Sequence, residues 1–256
     1  MSERTTMLGH TDAPHSNGRN FLAGVLAGAL GVFALGAVFL HSTSVVTTPI
    51  ALETQNLAAS PALSSLPGVS AADLALLDAP LDPASGLTQE EWTSARVARW
   101  IVHANTWATI ATTSVHLKGA PFTSLISYSD GNGMNPGNAT GHLFFYSSKV
   151  GSTGKDLAAS SQASVSISMA QLNHCELDPQ DPTCWRVIFS GNVIPVDGDD
   201  KTKALTALYS KHPQMRDWPD NHSFSAYEMH PTEILLLDFY GPAKHVSPAA
   251  YYSVRF

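Results

Sequence analysis

The first constraint on this 256-residue chain is an uncharged run of twenty apolar or small residues, Phe21 to Leu40. A helix rises about 1.5 Å per residue, so this run would be about 30 Å long as a helix, matching the hydrocarbon core of a bilayer. Arg4 and Arg19 precede the run, and no Lys or Arg follows it until Arg96. The positive-inside rule therefore predicts a cytoplasmic tail over residues 1–20 and export of the rest.

Residues 21–40 have two interpretations, a signal anchor or a cleaved signal peptide. Signal peptides have apolar cores of about 7–15 residues, and this run is longer, which favours the anchor. Ser42 and Ser44 offer small residues at the spacing of a cleavage site, so cleavage stays open. Both predict the secretory pathway: a membrane-anchored lumenal or extracellular domain, or a secreted or endolysosomal protein after cleavage.

Residues 41–86 are predicted to form a disordered linker, because they are rich in Ala, Ser, Leu, Pro and Thr. Within them, Val69 to Leu77 could form one short helix. The folded domain is expected over residues 87–256, a length that suits one domain with a sizeable core. The formal net charge is −7, so no basic face argues for a nucleic-acid partner.

The pattern of residues 87–256 predicts short strands with short helices between them. A capping box from Thr88 to Glu91 opens a helix that should end near Asn105. Period-two alternation and turn residues then predict six strands, with a kink at Gly191. The strands are expected at 107–115, 122–128, 142–147, 163–170, 185–196 and 233–240. Further helices are expected at 155–161, from a cap at Asp199 or Asp200 to about Lys211, and after Ser247. The fold class is therefore mainly β with short helices (α+β), a small barrel of mostly antiparallel strands.

The cysteines and sequons are interpreted through the predicted export. Cys175 and Cys184 lie nine apart in a Pro- and Asp-rich loop, and an oxidising compartment favours a disulfide between them. The alternative, a metal pair with His174, lacks the second pair of ligands that a zinc site needs. The sequons at Asn138 and Asn221 fall in predicted loops, where attached glycans would stay solvated.

One stretch carries a candidate anion site, whereas no hydrolase, zinc-protease or nucleotide-binding motif is present in its proper context. After the 142–147 strand the chain passes two glycines and enters a helix containing Ser152, Thr153 and Lys155. Free amides at a helix N-terminus, together with these side chains, would make a phosphate cradle. The alternative is an ordinary Ser/Thr-capped helix start.

Several stretches match those of a known family. They are ARWIVH (98–103), WATIAT (107–112), PF (121–122), SYSDG (127–131), FSGNV (189–193), KHPQMRDWP (211–219), LDFYGP (237–242) and VSPAAYY (246–252). In them the chain resembles the CREG glycoproteins, secreted or endolysosomal members of the flavin split-barrel superfamily that includes pyridoxamine 5′-phosphate oxidase. The resemblance implies a six-stranded split β-barrel that forms a homodimer, with FMN pockets shared between subunits in the members that bind flavin.

The resemblance also bears on flavin binding. In flavin-binding relatives a Tyr-Thr pair, an Arg-Lys pair and an earlier basic residue hold the phosphate. Tyr146 and Ser147 match the first pair and Lys155 matches the lysine, but Gly154 replaces one cation, and Thr123 and Ser124 stand where the earlier basic residue would be. Charge-assisted bonds contribute roughly 1.5–3 kcal/mol each, so losing two would weaken FMN binding by about two to four decades.

Three functions follow as hypotheses. The first is a lumenal or secreted glycoprotein that binds or regulates partner proteins and has no catalytic or metal-binding residues. The second is an FMN-dependent oxidoreductase in which Tyr146, Ser147, Ser152, Thr153 and Lys155 bind the cofactor. The third is a haem-binding barrel with a histidine as axial ligand, although the spacing of the histidines selects none of them.

Overall fold

The computed structural model describes residues 69–256. The predictions for the cytoplasmic tail, the helix over 21–40 and the linker as far as residue 68 lie outside these residues. Among the helices described, none has both the length and the hydrophobicity that crossing a bilayer requires.

The described residues form a closed antiparallel β-barrel. The sheet order is β3-β2-β1-β4-β5-β6-β7, and an additional pairing of β3 with β6 closes it. The strands are β1 (Trp107–Thr113), β2 (Pro121–Gly131), β3 (Ala139–Ser148), β4 (Gln162–Ser168), β5 (Arg186–Pro195), β6 (Phe224–Leu237) and the two-residue β7 (Lys244–His245). The predicted fold class, mainly β with short helices in a six-stranded barrel, is confirmed, because β7 only pairs with the end of β6.

Five α-helices accompany the barrel: α1 (Ala71–Leu77), α2 (Gln89–Ala104), α3 (Ser152–Ala159), α4 (Gly198–Lys211) and α5 (Pro248–Ser253). The predicted capping box opens α2: the Thr88 hydroxyl accepts from the Glu91 amide at 3.2 Å, and the Glu91 carboxylate accepts from the Thr88 amide at 2.8 Å. One face of α2 packs into the main core, where Trp100 meets Trp185 edge to face at 6.2 Å.

A buried arginine ties α2 to the last described residues. Arg99 is fully buried, and its guanidinium donates to the carbonyls of Ala139 at 2.8 Å and Val254 at 2.9 Å. The same guanidinium lies 5.4 Å from the ring centre of Tyr251 on α5. The segment around α5 is therefore part of the core rather than a loose tail.

The predicted linker is too long at its C-terminal end. Residues 69–86 include the short α1, and Leu77 in that helix is only 3% exposed. Trp92 and Trp100 on α2 donate their indole N–H groups to Ala79 O at 3.2 Å and Asp73 Oδ1 at 2.9 Å. These contacts make residues 69–86 part of the folded domain, because Leu77 joins the same core as the apolar residues of α2.

The last long strand begins nine residues earlier than predicted. Pro231 interrupts the alternation of β6 in the sequence, but it sits beside a β-bulge where the register with β5 shifts between Ser190 and Gly191. A Cβ at Gly191 would lie 2.2 Å from the His230 carbonyl oxygen. The predicted kink at Gly191 is therefore confirmed, and the close approach of two backbones explains why it is glycine.

Two smaller predictions need correction. The residue that caps α4 is Asp197, without a side-chain bond, whereas Asp199 and Asp200 lie in the first helical turn. The predicted loop over 129–141 shortens to seven residues, because β2 continues to Gly131 and β3 begins at Ala139.

Candidate functional site

The predicted phosphate cradle lies at the loop between β3 and α3. Gly151 caps α3 without a side-chain bond, and Ser152, Thr153 and Lys155 share the first turns of the helix. Gly154 in that turn is buried against the end of β3, where a Cβ would lie 2.0 Å from the Ser148 carbonyl oxygen. Glycine at this position therefore satisfies a packing requirement, and the backbone arrangement excludes any cationic side chain there.

A buried carboxylate holds α3 in this position. Asp156 accepts from the Thr112 hydroxyl and from the Val115 amide, both at 2.8 Å. Both donors lie at or just after the end of β1, so α3 is fixed to β1 as well as to β3. The loop before α3 has little freedom to rearrange around a ligand.

Tyr146 and Ser147 lie on opposite faces of β3. Ser147 is on the buried face, together with Leu143 and Phe145. Tyr146 is on the other face, and its hydroxyl lies 3.4 Å from the hydroxyl of Tyr209 on α4. Burial and the hydrogen bond with Tyr209 raise the pKa of Tyr146 to about 12, so this phenol stays protonated.

The structure therefore brings only part of the predicted site together. Ser152, Thr153 and Lys155 are neighbours, whereas Tyr146 belongs to an aromatic cluster outside the barrel, packed against Trp218 and Phe224. Lys149 is not among the predicted site residues, yet it is an exposed cation on the same loop, and its backbone amide donates to Ser223 O at 3.2 Å. The position of Lys149 in the sequence, between the predicted strand and the predicted helix, is the signal that could have identified it.

A second set of functional groups is a buried ionic network at the end of β2. Asp130 pairs with Lys211, and both side chains are fully buried. His103 Nδ1 lies 3.2 Å from the other oxygen of Asp130, and His103 Nε2 lies 3.2 Å from the Met134 carbonyl oxygen. Burial raises the pKa of Asp130, but His103 and Lys211 outweigh that effect and hold the pKa below its usual value. The network joins α2, β2 and α4 through buried side chains.

A groove of about 450 Å³ lies between the β2–β3 loop and α4. His142 Nδ1 bonds Glu228 Oε1 at 2.5 Å in its wall, and the imidazole stacks on Tyr252 at 4.9 Å. Asn138, the acceptor of the first sequon, lines the same groove, and its side-chain amide donates to Asn132 O at 3.2 Å. The predicted sequon is therefore at the surface, beside a groove that combines polar and aromatic groups.

The predicted disulfide between Cys175 and Cys184 is present. Within the part of the chain that the structure describes, no group of three or more His, Cys, Asp or Glu side chains could hold a metal ion. Arg186 donates to the carbonyls of Pro179 and Gln180 at 3.2 and 3.3 Å and so fixes the loop that the disulfide closes.

One outer face of the barrel carries small and apolar side chains on neighbouring strands. The strand registers align a row across β2, β1, β4, β5 and β6, which consists of Leu125, Thr109, Ser166, Ile188 and Leu235. Leu125 is 69% exposed at one end of this row, and Trp107 is exposed beside it. We call this row, with Trp107, the outer sheet face.

Comparison with known proteins assigns the family. The family profile described as "CREG, beta-barrel" matches residues 89–253. The chain is 35% identical to Protein CREG1 of Gallus gallus over 167 residues, which are 63% of this chain and 86% of that protein. It is 34% identical to Protein CREG1 of Homo sapiens over 166 residues, which are 63% of this chain and 74% of that protein.

A solved structure supports the fold independently. The structure of a heme binding protein from Mycobacterium smegmatis superposes with a TM-score of 0.52 at 20% identity, covering 63% of this chain and 61% of that one. At that identity the likeness concerns the fold alone. The profile matches well over half of the residues, including all six barrel strands, and the chain belongs to the CREG β-barrel family.

Proposed function

We propose that this protein is a non-catalytic binding and regulatory module of the secretory pathway, built on a flavin split-barrel fold and acting as a homodimer. The observation that carries the proposal is the division of the phosphate-site residues. Tyr146 faces away from Ser147 into an aromatic cluster, and the packing of Gly154 against β3 excludes a cationic side chain at position 154. These residues do not fit an FMN phosphate, so we assign no step to a flavin.

A titration distinguishes this function from the FMN-dependent oxidoreductase. We expect protein made in a secretory host to be colourless, and its melting temperature to stay unchanged with millimolar FMN, riboflavin or inorganic phosphate. Haem is added in a parallel titration because the Mycobacterium smegmatis protein is described as heme binding. Stoichiometric flavin in the purified protein would overturn the non-catalytic assignment. So would a shift of the Soret band of the added haem on mixing with the protein.

The outer sheet face supports the homodimer. The row carries no charged side chain, and the exposed Leu125 and Trp107 would gain burial from a second copy. We expect Leu125→Lys to weaken dimerisation by about a hundredfold, because it places a charge in an apolar interface. Sedimentation velocity over a concentration series measures the change. Leu177→Lys is the control, since Leu177 is 73% exposed and belongs to the disulfide loop rather than to the row of strand residues. Equal dimerisation of the two variants would contradict the proposed interface.

Export to the secretory pathway is supported by the disulfide and by the exposed positions of both sequon asparagines. An oxidising compartment is where such a disulfide persists. The apolar run over 21–40 supplies the targeting signal in this proposal. The intact mass of protein from a secretory host would report both glycan occupancy and whether that run is cleaved.

A further inference from the structure

The second sequon lies in a loop that begins and ends on the aromatic cluster, which consists of Tyr146, Tyr209, Trp218 and Phe224. The ring centres of Tyr146 lie 5.1 Å from Phe224 and 5.8 Å from Trp218, and Trp218 lies 4.8 Å from Phe224. Tyr209 meets Tyr146 edge to face at 5.8 Å. All four rings are only half-buried, so part of this aromatic surface faces solvent.

The loop consists of residues 219–223, and its two neighbours are the contacting Trp218 and Phe224. The amides of His222 and Ser223 donate to Pro219 O at 3.1 Å and Asp220 O at 3.0 Å, which makes the loop a compact turn. The Ser148 hydroxyl donates to His222 O at 2.8 Å and ties the turn to β3. Asn221 is exposed near the middle of this turn.

Two further observations place the turn beside the cluster. The His222 ring lies 6.1 Å from the ring of Phe224. Burial and Tyr209 raise the pKa of Tyr146 most, and the Asp220 carboxylate adds to that rise. The residues on both sides of Asn221 are thus close to aromatic rings, and a group attached to Asn221 starts within reach of them.

The chemistry of a glycan suits such a surface. The first sugar of an N-linked glycan is an N-acetylglucosamine, and one face of its ring presents C–H groups while its hydroxyls point outward. Aromatic rings carry partial negative charge on their faces, so they attract C–H groups, and contact removes apolar area from water. The sugar can cover an aromatic ring while its hydroxyls remain hydrated.

We propose that the N-acetylglucosamine attached to Asn221 packs on the exposed side of the aromatic cluster, against Trp218, and fixes the 219–223 loop to the barrel. The inference rests on the proposed export, because only an exported domain acquires this glycan. The glycan on Asn138 lacks this setting, since Asn138 lies at the groove beside His142 rather than at the aromatic cluster. The two glycans should therefore differ in their effect on stability.

A double-mutant cycle tests the packing in the full chain made in a secretory host. Asn221→Gln and, separately, Ser223→Ala remove the glycan. We expect each to lower the melting temperature by about 2–4 °C, the shift that a modest stabilisation produces in a domain of this size. Trp218→Leu removes the ring that the sugar contacts, so in its presence loss of the glycan should leave the melting temperature unchanged. Trimming the glycan enzymatically to its first sugar should preserve the stabilisation.

Asn138→Gln is the matched control, and its effect should be the same with and without Trp218→Leu. An equal effect of the Asn221 glycan in both backgrounds would overturn the inference while leaving the proposed function intact. Intact mass separates the remaining outcomes. A glycan on Asn138 but none on Asn221 refutes only the packing, whereas bare asparagines at both sites refute the proposed export as well.

Discussion

Replacing Lys211 with Met is expected to lower the free energy of unfolding by about 3–5 kcal/mol, the usual cost of breaking one buried ion pair. The substitution keeps most of the side-chain volume but leaves the fully buried Asp130 carboxylate with His103 as its remaining ionic partner among the described residues. Urea unfolding at pH 7, followed by tryptophan fluorescence, measures the loss.

Lys203→Met on the same helix is the matched control. Lys203 pairs with Asp200 at 2.7 Å, but both side chains are more than 70% exposed, so this substitution should cost less than about 1 kcal/mol. Similar losses in the two variants would show that the Asp130 pair contributes no more than a surface pair.

The same network predicts how stability changes with pH. Burial, His103 and Lys211 together leave the pKa of Asp130 below the value of about 3.9 that it has in an unfolded chain. Its contribution is therefore complete above that value and is lost as the pH falls through the lower, folded pKa. Lys211→Met removes an attraction that lowers the folded pKa of Asp130 and so brings it closer to the unfolded value; the variant should therefore lose less stability than the wild type as the pH falls through this range.

Replacing Gly154 with Ala is the second large effect that we expect, at least about 3 kcal/mol, at or above the upper end of the usual cost of overpacking. The new Cβ would lie 2.0 Å from the Ser148 carbonyl oxygen and 2.9 Å from its carbon. These are backbone atoms and cannot rotate aside, so α3 must move away from β3. Its other attachment, the buried Asp156, opposes that movement.

Gly151→Ala is the control for Gly154→Ala, because a Cβ at Gly151 would lie 3.6 Å from the same oxygen, an ordinary contact. Thermal unfolding of both variants measures the difference. An Ala at position 154 that is tolerated as well as one at 151 would mean that the loop can open, and the steric argument against a cationic side chain at position 154 would fail.

The sequence predicts best those elements that have a local signal. The capping box at Thr88 and the alternation of β4 each depend on residues that are close together in the chain, and a glycine inside a strand pattern was enough to predict the kink at Gly191. The start of β6 was missed because Pro231 breaks the alternation, and only the register with β5 shows that the ladder tolerates it. The sequence predicts α1 as one short helix. It does not predict that α1 attaches to α2 through Asp73 and Trp100.

The candidate site shows the same division. Ser152, Thr153 and Lys155 are adjacent in sequence and remain adjacent in the fold. Tyr146 was assigned to that site from the match to relatives, but its contacts with Tyr209 and Trp218 come from residues more than sixty positions away. The Asp130 network likewise joins three of the family-like stretches, and no spacing in the sequence shows that these stretches meet.

The hydrogen bonds of Arg99 can be completed only late in the synthesis of the chain. This side chain belongs to the first long helix, yet it donates to Val254, 155 positions later. On a ribosome its guanidinium must stay hydrated until nearly the whole domain has emerged, and the barrel likewise closes only when β6 reaches β3. Such non-local pairing makes folding a late and slow step. A chain that remains unfolded for this long can be threaded through a narrow pore, because the folded barrel, which is too wide to pass, forms only afterwards.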